Sequence, residues 1–153
     1  MTAYSDEYVT PVEAHVCWAL LRTTQVGRLA IGVADGPDIF PINFVVDRGT
    51  VIFRTGEGTK LAGSLSAPAV AFEADGYRPD AGEAWSVVIK GHAEEIIRAD
   101  ELMDTTTVPL FPWHATPKGH FVRIVPDAIS GRRFRVVGNA AWGEVSRRSR
   151  QAE

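Results

Sequence analysis

The sequence predicts a mostly β domain closed into a barrel, with a few short flanking helices, and three observations carry that prediction. Apolar residues alternate at period two over most of the chain. Helical spacing is confined to short stretches, and turn signals such as DGPD and DRG separate the alternating runs. Roughly six or seven strands make a sheet of a size that usually curls on itself, so that no long edge stays open.

At the N-terminus, Thr10-Pro11-Val12-Glu13 reads as a helix start. Thr10 is the cap, Pro11 suits the first helical position and Glu13 completes a capping box. Val12, Val16, Ala19 and Leu20 follow as an apolar stripe that ends near Arg22. From Gly27 the period changes to two, and Leu29, Ile31 and Val33 alternate before DGPD. Phe40, Ile42 and Phe44 share a face of the next strand, DRG turns the chain, and VIFRT completes a hairpin. A short helix is expected from Thr59, where Leu61 and Leu65 lie one helical turn apart. PAVAFEAD is a strand that begins at Pro68, and WSVVIKGHAEEII is a long strand with a bulge or bend at Gly91. Residues 99–106 suggest another short helix, and PLFPWHATPKG a loop. HFVRIVPDAISGRRFRVV closes the domain as two strands broken at Pro126 and Gly131. A single domain is expected over residues 1–153, with 1–10 and 139–153 peripheral.

Composition narrows the function classes. With 45% hydrophobic and 23% charged residues, the 153-residue chain has the mix of a globular domain with a real core. A net charge of −3 gives no reason to expect nucleic acid, and the basic stretch RRSRQ reads as a solvated end. No apolar stretch reaches membrane-span length and the N-terminus lacks a signal pattern, so a cytoplasmic protein off the membrane is expected. Cys17, in VCWALL, reads as a structural thiol on a buried helix face. His15 and His92 read as surface or structural residues, and His114 with His120 lacks the further donors of a metal site. A haem needs only one histidine. No nucleophile elbow is present. Trp18, Phe53, Phe72 and Phe121 are assigned to the core. Trp113 and Trp142, outside the strands, are better placed to face a ligand or partner. Arg133 and Arg135 share a strand face, for which solvation is the simpler reading.

The stretch from Val51 to Leu65, VIFRTGEGTKLAGSL, has a chemistry of its own. It passes from a strand through two glycines to a helix start, whose free N–H groups and dipole suit a phosphate. Gly56 and Gly58 let backbone amides approach an anion. Thr55 and Thr59 offer hydroxyl donors, and Lys60 with Arg54 offers charge. Glu57 must then face solvent. The spacing is not that of a nucleoside-triphosphate loop. Local chemistry alone leaves a phosphate site and an ordinary strand-to-helix connection equally open.

Taken in order, GRLAIGV, PINFVV, TVIFRTGEGTKL, PAVAFEAD, WSVVIKGHAEEI and HFVRIVPDAISGR resemble the pyridoxamine 5′-phosphate oxidase-like family, the FMN-binding split barrels. The resemblance runs from about Val12 to Val137 and implies a six-stranded split β-barrel. It further implies a homodimer with two flavins at the interface. Carried over by position, it implies that Thr55, Thr59 and Lys60 hold the FMN phosphate with Arg54 adjacent, and that Ile42 and Asn43 run beside the ring. Trp85 and Ser86 would belong to the same pocket, and Trp113 would reach a flavin from the other subunit. The chain departs from authentic pyridoxamine phosphate oxidases in four places. It lacks basic residues at the head of PINFVV, has Thr59-Lys60 where they have Arg-Lys, and has Ser86 where they have glutamine. Their C-terminal substrate-binding segment, with its arginine and histidine, is also not recognisable in GNAAWGEVSRRSRQAE. The resemblance is therefore to the flavin-reductase-like or nitroreductase-like branches. It implies an FMN-dependent oxidoreductase acting on a small organic substrate. A deazaflavin-dependent reductase and a non-enzymatic flavin- or haem-binding protein stay open as alternatives on the same barrel.

Overall fold

The computed structural model describes residues 9–33, 36–56, 69–96 and 119–136. In chain order these form β1 (Val9–Val12), α1 (Ala14–Leu21), β2 (Val26–Val33), β3 (Gly36–Asp47), β4 (Thr50–Gly56), β5 (Val70–Arg78), β6 (Glu83–Glu95) and β7 (Gly119–Arg135). The two helices expected at Thr59 and at 99–106 lie outside the described residues.

All pairings are antiparallel, and β7, β4, β3, β2, β5 and β6 follow one another as neighbours. β6 then pairs with β7 along almost its whole length and closes the ring. The described residues thus contain seven strands where six were expected. Six build the barrel, and the seventh is β1, which pairs with the far end of β7. This corrects the reading of the N-terminus. Thr10 is not a helix cap but a strand residue opposite Arg133. Helix α1 begins after Glu13, which caps it with no side-chain bond; its carbonyl accepts from the amides of Val16 and Cys17.

Period-two alternation builds the core. Leu29, Ile31, Phe44, Phe53, Phe72, Ile89, Val122 and Ile124 all point inward and are buried, each contributing about 1.5–3 kcal/mol. At the centre, the rings of Phe44 and Phe72 meet edge to face at 4.8 Å. Helix α1 seats Cys17 and Leu21, one turn apart, on the barrel. Trp18 is only partly buried, as is Phe121.

The hairpin turn expected at DRG is present. Arg48 and Gly49 both have positive φ (47° and 70°), the two-residue turn whose twist matches its strands. The bulge expected near Gly91 is also there, since the β6–β7 register shifts between Lys90 and Gly91. A Cβ on Gly91 would strike the Val125 carbonyl, so glycine is required. The predicted breaks at Pro126 and Gly131 do not occur, and β7 runs through both. Pro126 is tolerated because it lies at the bulge, where one ladder bond is already missing. Gly131 serves approach, not interruption: a Cβ there would lie 2.5 Å from Cys17 Sγ.

Candidate functional site

Strand β3 changes partner partway along. From Gly36 to Asn43 it pairs with β2, and from Phe44 to Asp47 with β4. β4 meanwhile stays on β7 as far as Gly56. β3 and β4 therefore part beyond the Phe44–Phe53 pair, and the fork between them holds four of the residues singled out by sequence. Alternation divides those four. Ile42 and Thr55 are each 5% exposed and turn into the barrel, so at the fork they offer mainly backbone. Asn43 and Arg54, between inward neighbours, turn outward. The Arg54 guanidinium lies 5.8 Å from the centroid of the Phe121 ring, which holds it at the surface beside the fork.

Trp85 and Ser86 lie elsewhere. Trp85 is 4% exposed and packs its indole against Gly76, where any side chain would collide with it. Ser86 points outward, opposite Asp75 on one side and Arg132 on the other. Around them lies a groove of about 470 Å³ lined by Asp75, Gly76, Tyr77, Ala84, Trp85, Ser86, Phe134 and Val136. Its form follows from one cross-strand row, Tyr77–Ala84–Phe134. The two aromatic residues stand two strand spacings apart, about 9–10 Å, with only a methyl group between them. That leaves a recess between them, with Asp75 and Ser86 as polar groups at its rim. The volume is in the range of a small-molecule site.

Fork and groove sit on opposite walls. In the ring order β7-β4-β3-β2-β5-β6, β3 and β6 are three places apart out of six. Along the other route, Arg54 is opposite Phe121 and Ser86 opposite Arg132, eleven residues apart on β7, or about 36 Å of strand contour. The outward side chains of one chain's fork and groove thus face away from each other. Thr59, Lys60 and Trp113 lie outside the described residues.

Sequence reading missed Tyr77, Ala84 and Phe134. The available signal was a glycine inside the strand FEADGY, which often marks close packing by a neighbour. On the wall between fork and groove, Arg28 bonds Glu73 at 2.9 Å and Asp75 at 3.4 Å. Those carboxylates raise its pKa, chiefly through the Glu73 hydrogen bond. At the end of the barrel near Thr55, His120 Nδ1 contacts Glu95 Oε1. Cys17 is fully buried, and burial pushes its thiol up, partly offset by a backbone hydrogen bond. Among the described residues no cluster could hold a metal ion, and no helix is long and apolar enough to cross a membrane.

Comparison with known proteins adds independent information. The family model for pyridoxamine 5′-phosphate oxidase matches residues 13–133. An uncharacterized protein of Mycobacterium tuberculosis is 42% identical over 91 residues, covering 60% of this chain and 81% of that protein. A candidate pyridoxamine 5′-phosphate oxidase of solved structure from Corynebacterium glutamicum superposes with a TM-score of 0.75 at 36% identity, covering 88% of this chain and 99% of that one. The FAD-binding protein from Mycobacterium smegmatis superposes with a TM-score of 0.73 at 40% identity, covering 82% and 98% of the two chains.

Proposed function

Since this chain belongs to the pyridoxamine 5′-phosphate oxidase family, we propose that it is a flavin-dependent oxidoreductase acting on a small organic substrate. The cofactor's anionic tail is assigned to the segment that follows β4 in sequence, with Thr59 and Lys60 as donors and Arg54 beside them. One edge of the ring is assigned to the β3 backbone at Ile42 and to the amide of Asn43. The slot between Tyr77 and Phe134, rimmed by Ser86, receives the ring from a second protomer, so the working unit is a homodimer. Trp113 is assigned as a further contact from that second protomer.

One observation carries the reading. The polar, cationic fork suits a phosphate tail and the aromatic slot suits a flat ring, yet the two halves lie on opposite walls of one barrel. Two copies can complete what one chain cannot. A bound flavin supplies the redox chemistry, and the protein's part is to hold, orient and shield it. Arg54 and Lys60 neutralise the tail, while Tyr77 and Phe134 exclude water from the ring faces. The substrate is not a phosphorylated vitamer in this reading, because basic residues are absent from the head of PINFVV and the family's C-terminal substrate-binding segment is not recognisable in this chain.

FMN is the cofactor assigned. FAD is the second reading, favoured by the FAD-binding protein of Mycobacterium smegmatis at 40% identity. The absorption spectrum of the isolated protein, with mass spectrometry of what it releases, tests both. Flavin bands and a mass of FMN are expected, and release of FAD would select the second reading. A colourless protein that takes up neither flavin in titration, or takes up a deazaflavin instead, would overturn the assignment.

A further inference from the structure

We propose that His120, held by Glu95 at the end of the β4–β7 ladder, is a donor to the cofactor's anionic tail. It binds as an imidazolium, so that FMN affinity is coupled to a proton. The inference rests on the flavin reading and extends it to a pair of residues outside the segment that follows β4.

Register and alternation place the pair. His120 lies two residues before buried Val122, so the two side chains share the inner face of β7. Its partner on β4 is Thr55, buried on the same face, and the last pair of that ladder is Gly56–Gly119. Glu95 is the β6 partner of Val122 and therefore turns to the same face. The contact of His120 Nδ1 with Glu95 Oε1 joins the two side chains across the strands. They are 38% and 43% exposed, which puts them at the open end of the barrel rather than in its core. The adjacent glutamate serves a different histidine. Glu94 turns to the outer face and meets His92 Nε2 at 3.1 Å, while Asp127 lies 3.9 Å from His92 Nδ1. A carboxylate faces each ring nitrogen of His92, so its charge is already matched and it has little to offer an anion.

The chemistry of His120 follows from that contact. An ionised carboxylate only accepts, so Nδ1–H donates to Glu95, and the carboxylate favours the charged ring. The two N–H groups of an imidazolium point away from each other, so an anion taken on the Nε2 side keeps clear of Glu95. The tail assigned to Thr59 and Lys60 is within reach, since Thr59 follows Gly56 by three residues, about 11 Å of extended chain at most. On the outer face of the same ladder end, Arg54 lies over the ring of Phe121, the residue after His120. Two cationic groups thus straddle the point where the chain leaves β4. The other charged groups nearby on these strands turn outward, Arg123 to Asp47 and Thr50, and Glu94 to His92. A neutral ring that donates from Nδ1 presents a lone pair at Nε2, which repels a phosphate. Binding therefore takes up a proton, and FMN affinity falls as the pH rises through the histidine range.

Fluorescence titration of the flavin-free full chain with FMN and with riboflavin, at about pH 6 and about pH 8, tests the role of His120. His120→Gln should weaken FMN binding about tenfold at the lower pH and less than about twofold at the higher one. Riboflavin, which lacks the phosphate, should bind parent and variant alike. The phosphate's own titration near pH 6 is common to both proteins and cancels in their ratio. Glu95→Gln should move the fall in FMN affinity to lower pH, because an amide does not stabilise the imidazolium. Circular dichroism should match the parent in both variants, since both side chains are partly exposed. Equal FMN affinity in parent and His120→Gln, a loss that does not depend on pH, or an equal loss for riboflavin would each overturn the proposal. A parent that binds riboflavin as tightly as FMN also overturns it, and leaves the flavin ring in place. A parent that binds neither overturns the flavin reading, and His120 loses its proposed role with it.

Discussion

The fork and the groove are built by opposite means. At the fork, two strands that pair through Phe44–Phe53 separate, and polar groups collect where the ladder stops. In the groove no pairing is lost, since β5 and β6 stay paired from Val70–Gly91 to Arg78–Glu83. Space appears there because one small residue, Ala84, stands between two aromatic ones. An anion needs donors and charge, and beside the fork Arg54 is a cationic side chain held at the surface. A flat ring needs rigid walls, and a continuous ladder backed by core provides them.

The largest expected effect breaks the support of the groove. Trp85→Ala removes a buried indole that stacks on Gly76 and should cost about 3–5 kcal/mol of stability. Chemical denaturation measures it, and a cost below 1 kcal/mol would mean that the indole does not back this wall. Two milder variants then address the ends of the ligand separately. Lys60→Ala should weaken FMN binding by about 1–3 kcal/mol through loss of a charge-assisted bond, with folding unchanged. Calorimetry giving equal affinity would remove the tail from the segment that follows β4. Ala84→Leu fills the slot from the outside and should lower affinity about tenfold, or 1.4 kcal/mol. FMN and FAD should lose equally, since they share the ring; a loss for FAD alone would move the ring elsewhere and give the slot to the adenine.

Much of the barrel was legible, because alternation at period two states which side chains are inside. Phe40–Phe44, the DRG turn and the irregularity at Gly91 could be read from local pattern. The N-terminus was misread because Thr-Pro-Val-Glu satisfies a capping rule, while the partner that makes Val9–Val12 a strand lies at 131–134. Pro126 and Gly131 were misread for a related reason, since a bulge and a helix crossing are set by other elements. At the site, resemblance supplied residue positions but not their direction. Ile42, Thr55 and Trp85 look like neighbours of Asn43, Arg54 and Ser86 on paper, yet one step along a strand turns them to the opposite face. The groove was invisible because its slot is a row across three strands, and no single strand records it.

The smallest effect sharpens the comparison by acting behind one wall only. Cys17 is buried beneath β7 at Gly131, which pairs with Val87, the residue after Ser86. Its Sγ–H donates to the Val12 carbonyl at 3.6 Å. The thiol is neutral when protonated, and burial raises its pKa above the ordinary 9.0. The native state therefore holds this proton more tightly than the unfolded chain does. That contribution to stability is complete below pH 9.0 and is lost as the pH rises through the native value. Stability should decline with pH in that alkaline range, and Cys17→Ala should flatten the decline. Amide hydrogen exchange, compared between parent and variant at one alkaline pH, should show the parent opening faster at Trp85 and Ser86 than the variant does. At Asn43 and Arg54 the two should exchange alike, because the fork has no thiol behind it. Equal acceleration at both sites would mean that the barrel loosens as one body, and that fork and groove are not independently supported.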